Sequence, residues 1–249
     1  MNIATYNLRF GGKSGQRIHW QKVLDEFNPD IFLVQETLPP QEYLPNGFYQ
    51  AAASQFHWAA VHGRPWGSAI YVSKGHVEPL EPLSPEFSGW VTSVKVSDFG
   101  WPMAESQSLY IYSVHAPSGR SSYVKEVNRI LDAIKAQVPS DSQVIIGGDF
   151  NLTVGLRHPS EELQKSQPKL MDRFRQEFGL MNCWQSAHPN QDLPQTLRWS
   201  NDKTKPFHCD GIFVSASWLR YLAHAEVLSD ENLDELSDHN PVTASFESL

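Results

Sequence analysis

Short apolar or alternating runs, broken by Gly, Pro, Asn and Asp, recur along the chain at Asn2–Tyr6, Ile31–Gln35, Ser68–Ser73, Val91–Val96, Leu109–His115, Gln143–Gly147, Gly211–Ser215 and Val242–Phe246. Each has the length and pattern of a strand. Other stretches, Arg17–Phe27, Tyr123–Val138 and Lys169–Phe178, repeat their apolar residues at helical spacing; in the second, Val124, Val127, Ile130, Leu131 and Ile134 mark one face. Many strands with few helices predict two packed sheets with helices outside, rather than one doubly wound sheet. Pro82, Pro85, Pro159, Pro168, Pro189, Pro194 and Pro206 mark long loops. Strand signals resume on both sides of them, so residues 1–249 are expected to form a single domain. Neither a repeat of solenoid length nor a low-complexity tract interrupts the pattern.

The strand ends carry the candidate chemistry. "IATYN" closes on Asn7, "IFLVQE" on Glu36, "LYIYSVH" on His115, and "VIIGGDFN" on Asp149 and Asn151. "FHCDGIFVS" places Asp210 at a strand start, and "LSDHNPV" puts Asp238 and His239 just before the last strand. Each has a plain structural explanation when taken singly. Asn7, Asp149, Asn151, Asp238 and Asn240 suit turns, Glu36 a solvated strand exit, His115 a hydrogen-bonded core position and Asp210 a strand cap. Taken together they have another. Strands buried on both faces expose polar side chains mainly at their ends, so these groups can converge on one solvent-facing rim of a two-sheet core.

Composition narrows what such a rim could do. Apolar residues make up 40% of the chain and charged residues 19%, a globular balance. The formal charge of −8 argues against a broad basic face for nucleic acid, but it suits a site of metal-binding carboxylates whose cation supplies the attraction for phosphate. No apolar run approaches the roughly 20 residues of a membrane span, so a soluble protein without membrane insertion is expected. "MNIATYNLRF" has no basic start, apolar core or small-residue cleavage site, which points to the cytoplasm. Cys183 and Cys209 form neither a disulfide framework nor a metal cluster by themselves and read as reduced packing residues. Carboxylates and carboxamides are the ligand set of a hard cation such as Mg²⁺, and two histidines beside it suit phosphate chemistry near neutral pH.

Asn7 in "TYNLR", Glu36 in "VQET", His115 in "SVHAP", Asp149 and Asn151 in "GGDFN", Asp210 in "HCDGIF" and Asp238–His239 in "SDHNPV" resemble, in the same order, the motifs of the endonuclease/exonuclease/phosphatase (DNase I-like) superfamily. "TLRW", residues 196–199, is similar to that family's Thr–aromatic–Trp segment. The resemblance implies a four-layer α/β sandwich, two packed and mainly antiparallel sheets flanked by helices. It also implies that Glu36 and Asp238 hold a divalent cation, Mg²⁺ with Mn²⁺ as a substitute, with Asn7 in or near its coordination shell. Asp149 would activate the attacking water or serve the leaving group, and Asn151 would position water or phosphate. His239, oriented by Asp210, and His115 would donate to phosphate oxygens.

The departures bear on the substrate. Relatives acting at abasic sites carry "QE-x-K"; here Glu36 is followed by Thr37, Leu38 and two prolines, which weighs against that activity. His115 lies closer to the DNase I-like and sphingomyelinase-like branches, whereas "CDGI" and Thr153 lack the basic residues of inositol-polyphosphate phosphatases. Arg9, Arg120 and Arg198, with Arg157 and His158, stand near the motifs as candidate phosphate contacts or as ordinary surface charge. Among the tryptophans, Trp66, Trp90, Trp101 and Trp199 could stack on a base or pack the core. The leading expectation is a metal-dependent phosphodiesterase acting on nucleic acid. Hydrolysis of a lipid or small phosphate ester stands second and a non-catalytic binding module third; no protein partner is inferred.

Overall fold

The computed structural model describes residues 1–11, 19–42, 44, 46–100, 102, 107–118, 121–140, 142–155, 167–202, 204–205, 207–229 and 231–248. The chain opens with β1 (Asn2–Asn7), α1 (His19–Phe27), β2 (Ile31–Thr37), α2 (Asn46–Ala52), β3 (Phe56–Ala60), β4 (Gly67–Val72), β5 (His76–Pro79), β6 (Val91–Ser97) and β7 (Leu109–His115). It continues with α3 (Tyr123–Gln137), β8 (Gln143–Asp149), α4 (Gln167–Phe178), β9 (Leu180–Asn182), α5 (Cys183–Ala187), β10 (Asp210–Ser215), β11 (Leu222–Val227), α6 (Glu231–Leu236) and β12 (Val242–Phe246). Of the first expected helix, residues 17 and 18 lie outside the described residues.

Two six-stranded sheets result, ordered β11-β12-β1-β2-β4-β3 and β5-β6-β7-β8-β10-β9. Each has a parallel pair at its centre. β1 and β2 are joined through α1, and β7 and β8 through α3, long crossovers of the kind a parallel pair requires. The other pairs formed by the named strands are antiparallel. Strand alternation sorts the side chains into layers. Ile3, Ile31, Leu33, Ile111, Ile145 and Ile212 meet between the sheets. Ala4, Tyr6, Phe32 and Val34 face outward onto Trp20 and Val23 of α1. Tyr112, Val144 and Ile146 face outward onto Val127, Ile130, Leu131 and Ile134 of α3, with Leu170 and Phe174 of α4. Both faces of the central strands are thus covered, which is why they read as near-continuous apolar runs.

The strands that the hydrophobic pattern misses are β3, β5, β9 and β11, and these are the four edges of the two sheets. β5 and β11 are largely exposed, β3 is half-buried, and β9 has three residues, so none carries an apolar run. No helix among the described residues is long and apolar enough to cross a membrane.

Candidate active site

Along the central strands the layer between the sheets changes character toward one end. Ile3, Ile31, Ile111 and Ile145 give way to buried Thr5, Gln35 and Ser113, and these to Asn7, His115 and Asp149. The middle row ties the sheets together: Gln35 donates to Ser113 Oγ at 3.0 Å and to Thr5 Oγ1 at 3.3 Å, and Ser113 donates to the Val34 carbonyl at 3.2 Å. Asn7, His115 and Asp149 therefore sit at the carboxyl ends of the central parallel strands, where open α/β sheets present ligands. Register aligns the second sheet's contribution, because His115 pairs with Asp149 across β7–β8 and Asp210 pairs with Asp149 across β10–β8.

Local backbone departures aim these groups. With Gln35 pointing between the sheets, strict alternation would send Glu36 outward. A register shift between Val34 and Thr37 and a φ of 47° at Glu36 turn it back instead. Gly147 and Gly148 explain the glycines of "GGDFN": a Cβ on the first would meet Leu33 Cδ1 at 2.6 Å, and one on the second the Val114 carbonyl at 1.9 Å. Gly148 also has a φ of 140°, open to glycine and few others.

On the first sheet's side, the Asn7 amide donates to Glu36 Oε1 at 3.3 Å and to Asp149 Oδ2 at 3.0 Å, bridging the two acids, while its Oδ1 accepts the Arg9 N–H at 2.9 Å. Burial raises the Glu36 carboxyl above its ordinary range; Asp238 adds to the rise, and the Asn7 amide, His239 and Arg9 oppose it. Arg9 Nη1 lies 3.3 Å from Asp238 Oδ2.

On the second sheet's side, Asp149 Oδ1 accepts the Asn151 N–H at 2.8 Å, and the Asn151 amide donates to the Ala116 carbonyl at 3.1 Å. Asn151 holds a φ of 53°, so an Asx-type turn and a site residue coincide here. His239 Nδ1 sits 3.0–3.1 Å from both Asp210 oxygens, and its Nε2 is 3.7 Å from Asp149 Oδ2. Burial alone would lower this imidazole. Asp210 and Asp149 outweigh it and push the ring to about 10, so it is protonated at neutral pH. Burial, with Asp210 alongside, raises Asp149. His115 differs: burial lowers it to about 4, and its Nε2 lies 3.6 Å from Glu36 Oε1 and 3.8 Å from Asp149 Oδ2, too far for a hydrogen bond and without an ion pair's charge.

Asp149, Cys209, Asp210 and His239 also bring ligand-type atoms within 4.8 Å of one another. Their bonding is that of a proton network. The Cys209 thiol points at Asp210 Oδ2 at 3.6 Å, and burial, with Asp210 and Asp149 beside it, raises the thiol well above its ordinary value, so the sulfur keeps its proton.

Several expectations change. Asp149 is 1% and His239 5% exposed, so these groups form a buried floor where a solvent-facing rim was expected. Arg198, a candidate phosphate contact or surface charge, is 3% exposed, and its guanidinium donates to Asn240 Oδ1 and the carbonyls of Ser237 and His239. Arg9 is half exposed beside Asp238. Arg120, Arg157, His158 and Trp101 lie outside the described residues. Trp66 and Trp90 pack on the His115 ring, with centroids 5.7 and 5.0 Å away, and Trp199 is 61% exposed. Sequence reasoning missed Thr196, whose Oγ1 accepts the N–H groups of Cys209 and Asp210, and Ser237, whose hydroxyl donates to the Asn7 carbonyl. The "TLRW" likeness was the available signal for the first, and the leading serine of "SDHNPV" for the second.

A DNase I-like sandwich with these groups at its central strand ends defines a phosphoric ester hydrolase. The sequence pattern of the Endonuclease/Exonuclease/phosphatase family matches residues 4–239, and the chain belongs to that family. Comparison with curated proteins gives no significant match. Among solved structures, an AP endonuclease from Archaeoglobus fulgidus superposes with a TM-score of 0.73 at 18% identity over all of both chains. A 3′ phosphatase from Neisseria bound to a product DNA hairpin gives 0.68 at 20% identity, again over all of both chains. The catalytic domain of Xenopus laevis APE2 gives 0.68 at 15% identity over 99% of this chain and 91% of that one. At these identities the likeness is one of fold.

Proposed function

We propose that the protein is a cytoplasmic, divalent-metal-dependent phosphodiesterase acting on DNA or RNA. The observation that carries the reading is the charged His239–Asp210 pair set against Asp149, with the hard oxygens of Glu36 and Asp238 beside it. Those oxygens fit a divalent cation, Mg²⁺ with Mn²⁺ as substitute: the set contains no thiolate, and the charge on Glu36 carries a burial penalty that a cation relieves. Such a cation, when bound, polarises a phosphoryl oxygen and offsets the charge that builds in the transition state. Asn7 spaces Glu36 from Asp149. Asp149, raised by burial, is suited to exchange a proton with the attacking water or the leaving oxygen. Asn151 fixes Asp149 Oδ1 and orients water or phosphate, and protonated His239 donates from Nε2 to a phosphate oxygen. Neutral His115 donates a second bond.

A cavity of about 520 Å³ adjoins Asn151 and is lined by Leu152, Leu197, Trp199, Phe207 and Cys209 among others. The exposed Trp199 and Phe207 offer aromatic faces to a nucleobase or sugar. Among the described residues no Lys or Arg lines it. The structural neighbour solved with a DNA hairpin supports the nucleic-acid reading. The two buried free cysteines suit a reducing compartment. The test is incubation with Mg²⁺, Mn²⁺ or EDTA against plasmid, single-stranded DNA, RNA, an abasic duplex, a chromogenic phosphodiester, inositol phosphates and sphingomyelin. Cleavage of nucleic acid that chelation stops is the expected result. Turnover of small or lipid esters only moves the protein to that class, and no metal-dependent turnover at all leaves a binding module.

A further inference from the structure

From the arrangement of one buried segment we infer that Arg198 is the positioning residue that sets His239 against Asp210. The inference rests on the reading of that pair as part of the working site. Residues 195–198 lie between the two loops that deliver the pair. Toward the Asp210 side, Thr196 N donates to the Phe207 carbonyl at 2.8 Å, and Thr196 Oγ1 accepts the N–H groups of Cys209 at 2.9 Å and Asp210 at 3.2 Å. Toward the His239 side, every residue from 237 to 240 is held by Arg198. Its backbone N–H donates to the Asp238 carbonyl at 2.7 Å; its guanidinium donates to the His239 carbonyl at 3.2 Å, to the Ser237 carbonyl and to Asn240 Oδ1. Asn240 closes the brace, donating from its backbone to the Thr196 carbonyl at 2.8 Å and from its amide to the Gln195 carbonyl at 2.9 Å.

The chemistry requires arginine. A planar fork of N–H donors serves several carbonyls at once, where a lysine ammonium offers one point of attachment. Asp234, 3.1 Å from Nη1, balances the buried charge. None of the guanidinium's named partners is Asp149, Asp210 or the His239 ring, so Arg198 acts through the loop. A cavity of about 390 Å³ lined by Arg198, Asp234 and Asn240 lies behind that loop and gives a small cation a way in.

The test compares Arg198→Lys and Arg198→Ala with the wild type on a chromogenic phosphodiester in Mg²⁺. Arg198→Lys, which keeps the charge, is expected to fold with a lowered melting temperature, while below that transition kcat falls by at least about tenfold and KM stays within about twofold. Guanidinium chloride at millimolar concentration should restore part of kcat to Arg198→Ala, and sodium chloride should not; if that variant fails to fold, the lysine variant decides. Should the wild type turn over no ester, the functional reading fails separately. The downfield proton resonance of His239 Nδ1 on Asp210 then becomes the readout, present in the wild type and shifted or lost in Arg198→Lys. Wild-type kcat in a folded Arg198→Lys, or an unchanged resonance, overturns the inference.

Discussion

His115 and His239 approach the same carboxylate oxygen at nearly the same distance, with Nε2 at 3.8 and 3.7 Å from Asp149 Oδ2, yet one is neutral and the other charged. The ring's other nitrogen and its surroundings decide. His239 Nδ1 faces Asp210 at 3.0 Å, and the two aspartates together overcome burial. His115 Nδ1 is buried with no hydrogen-bond partner among the described residues, and the ring packs on Trp66 and Trp90, so burial prevails. Proximity to a carboxylate does not charge a histidine. A second carboxylate at the far nitrogen does, and a dry aromatic setting prevents it.

The largest break in this pair of corners comes at the carboxylate they share. Asp149→Ala or His239→Ala should lower kcat by about a thousandfold or more, with circular dichroism showing a folded protein. Full activity in either would mean the site lies elsewhere. Asp210→Asn should cost about ten- to a hundredfold in kcat and move the alkaline limb of the pH profile toward neutrality. The sign follows from the raised folded value: protonated His239 contributes its full stability below the unfolded value near 6.5, and that contribution is lost as pH rises through about 10. Without Asp210 the loss begins earlier, which a pH series of kcat and of melting temperature reads directly.

His115→Gln sharpens the other corner. The folded ring titrates at about 4, below its unfolded value, so the unfolded chain takes up the proton first as pH falls from 6.5. The wild type should therefore lose up to roughly 3 kcal/mol over that descent through this residue, and the variant should lose correspondingly less. Raised Asp149 and Glu36 work in the opposite direction in both proteins, so the difference between the two melting curves is the measurement. The smallest effect serves as a control. Ile134→Val, on the buried face of α3, should cost about 1 kcal/mol in melting experiments and leave kcat unchanged; a fall in kcat would show that stability and the histidine corners are coupled.

The same physics divides what could be read from the chain from what could not. The central strands announced themselves because both their faces are covered; the edge strands β3, β5 and β11 did not because they lack such cover, and β9 because it has only three residues. Asn7, Glu36, His115, Asp149, Asp210 and His239 were legible as polar groups interrupting apolar runs. Arg198 was legible only as the charge inside "TLRW", and its burial against residues 237–240 came from the fold.

What the sequence determined by itself was local: strand period, crossover helices, and which residues end the buried strands, because alternation and burial act over a few residues. What only the tertiary structure decided was distance and charge. The turn-back of Glu36, the 3.0 Å contact of Asp210 with His239 across 29 residues of chain, and the opposite protonation of two histidines all depend on groups remote in sequence being brought together where water is scarce. Electrostatic energies there depend on separation and desolvation, and neither is encoded in spacing along the chain.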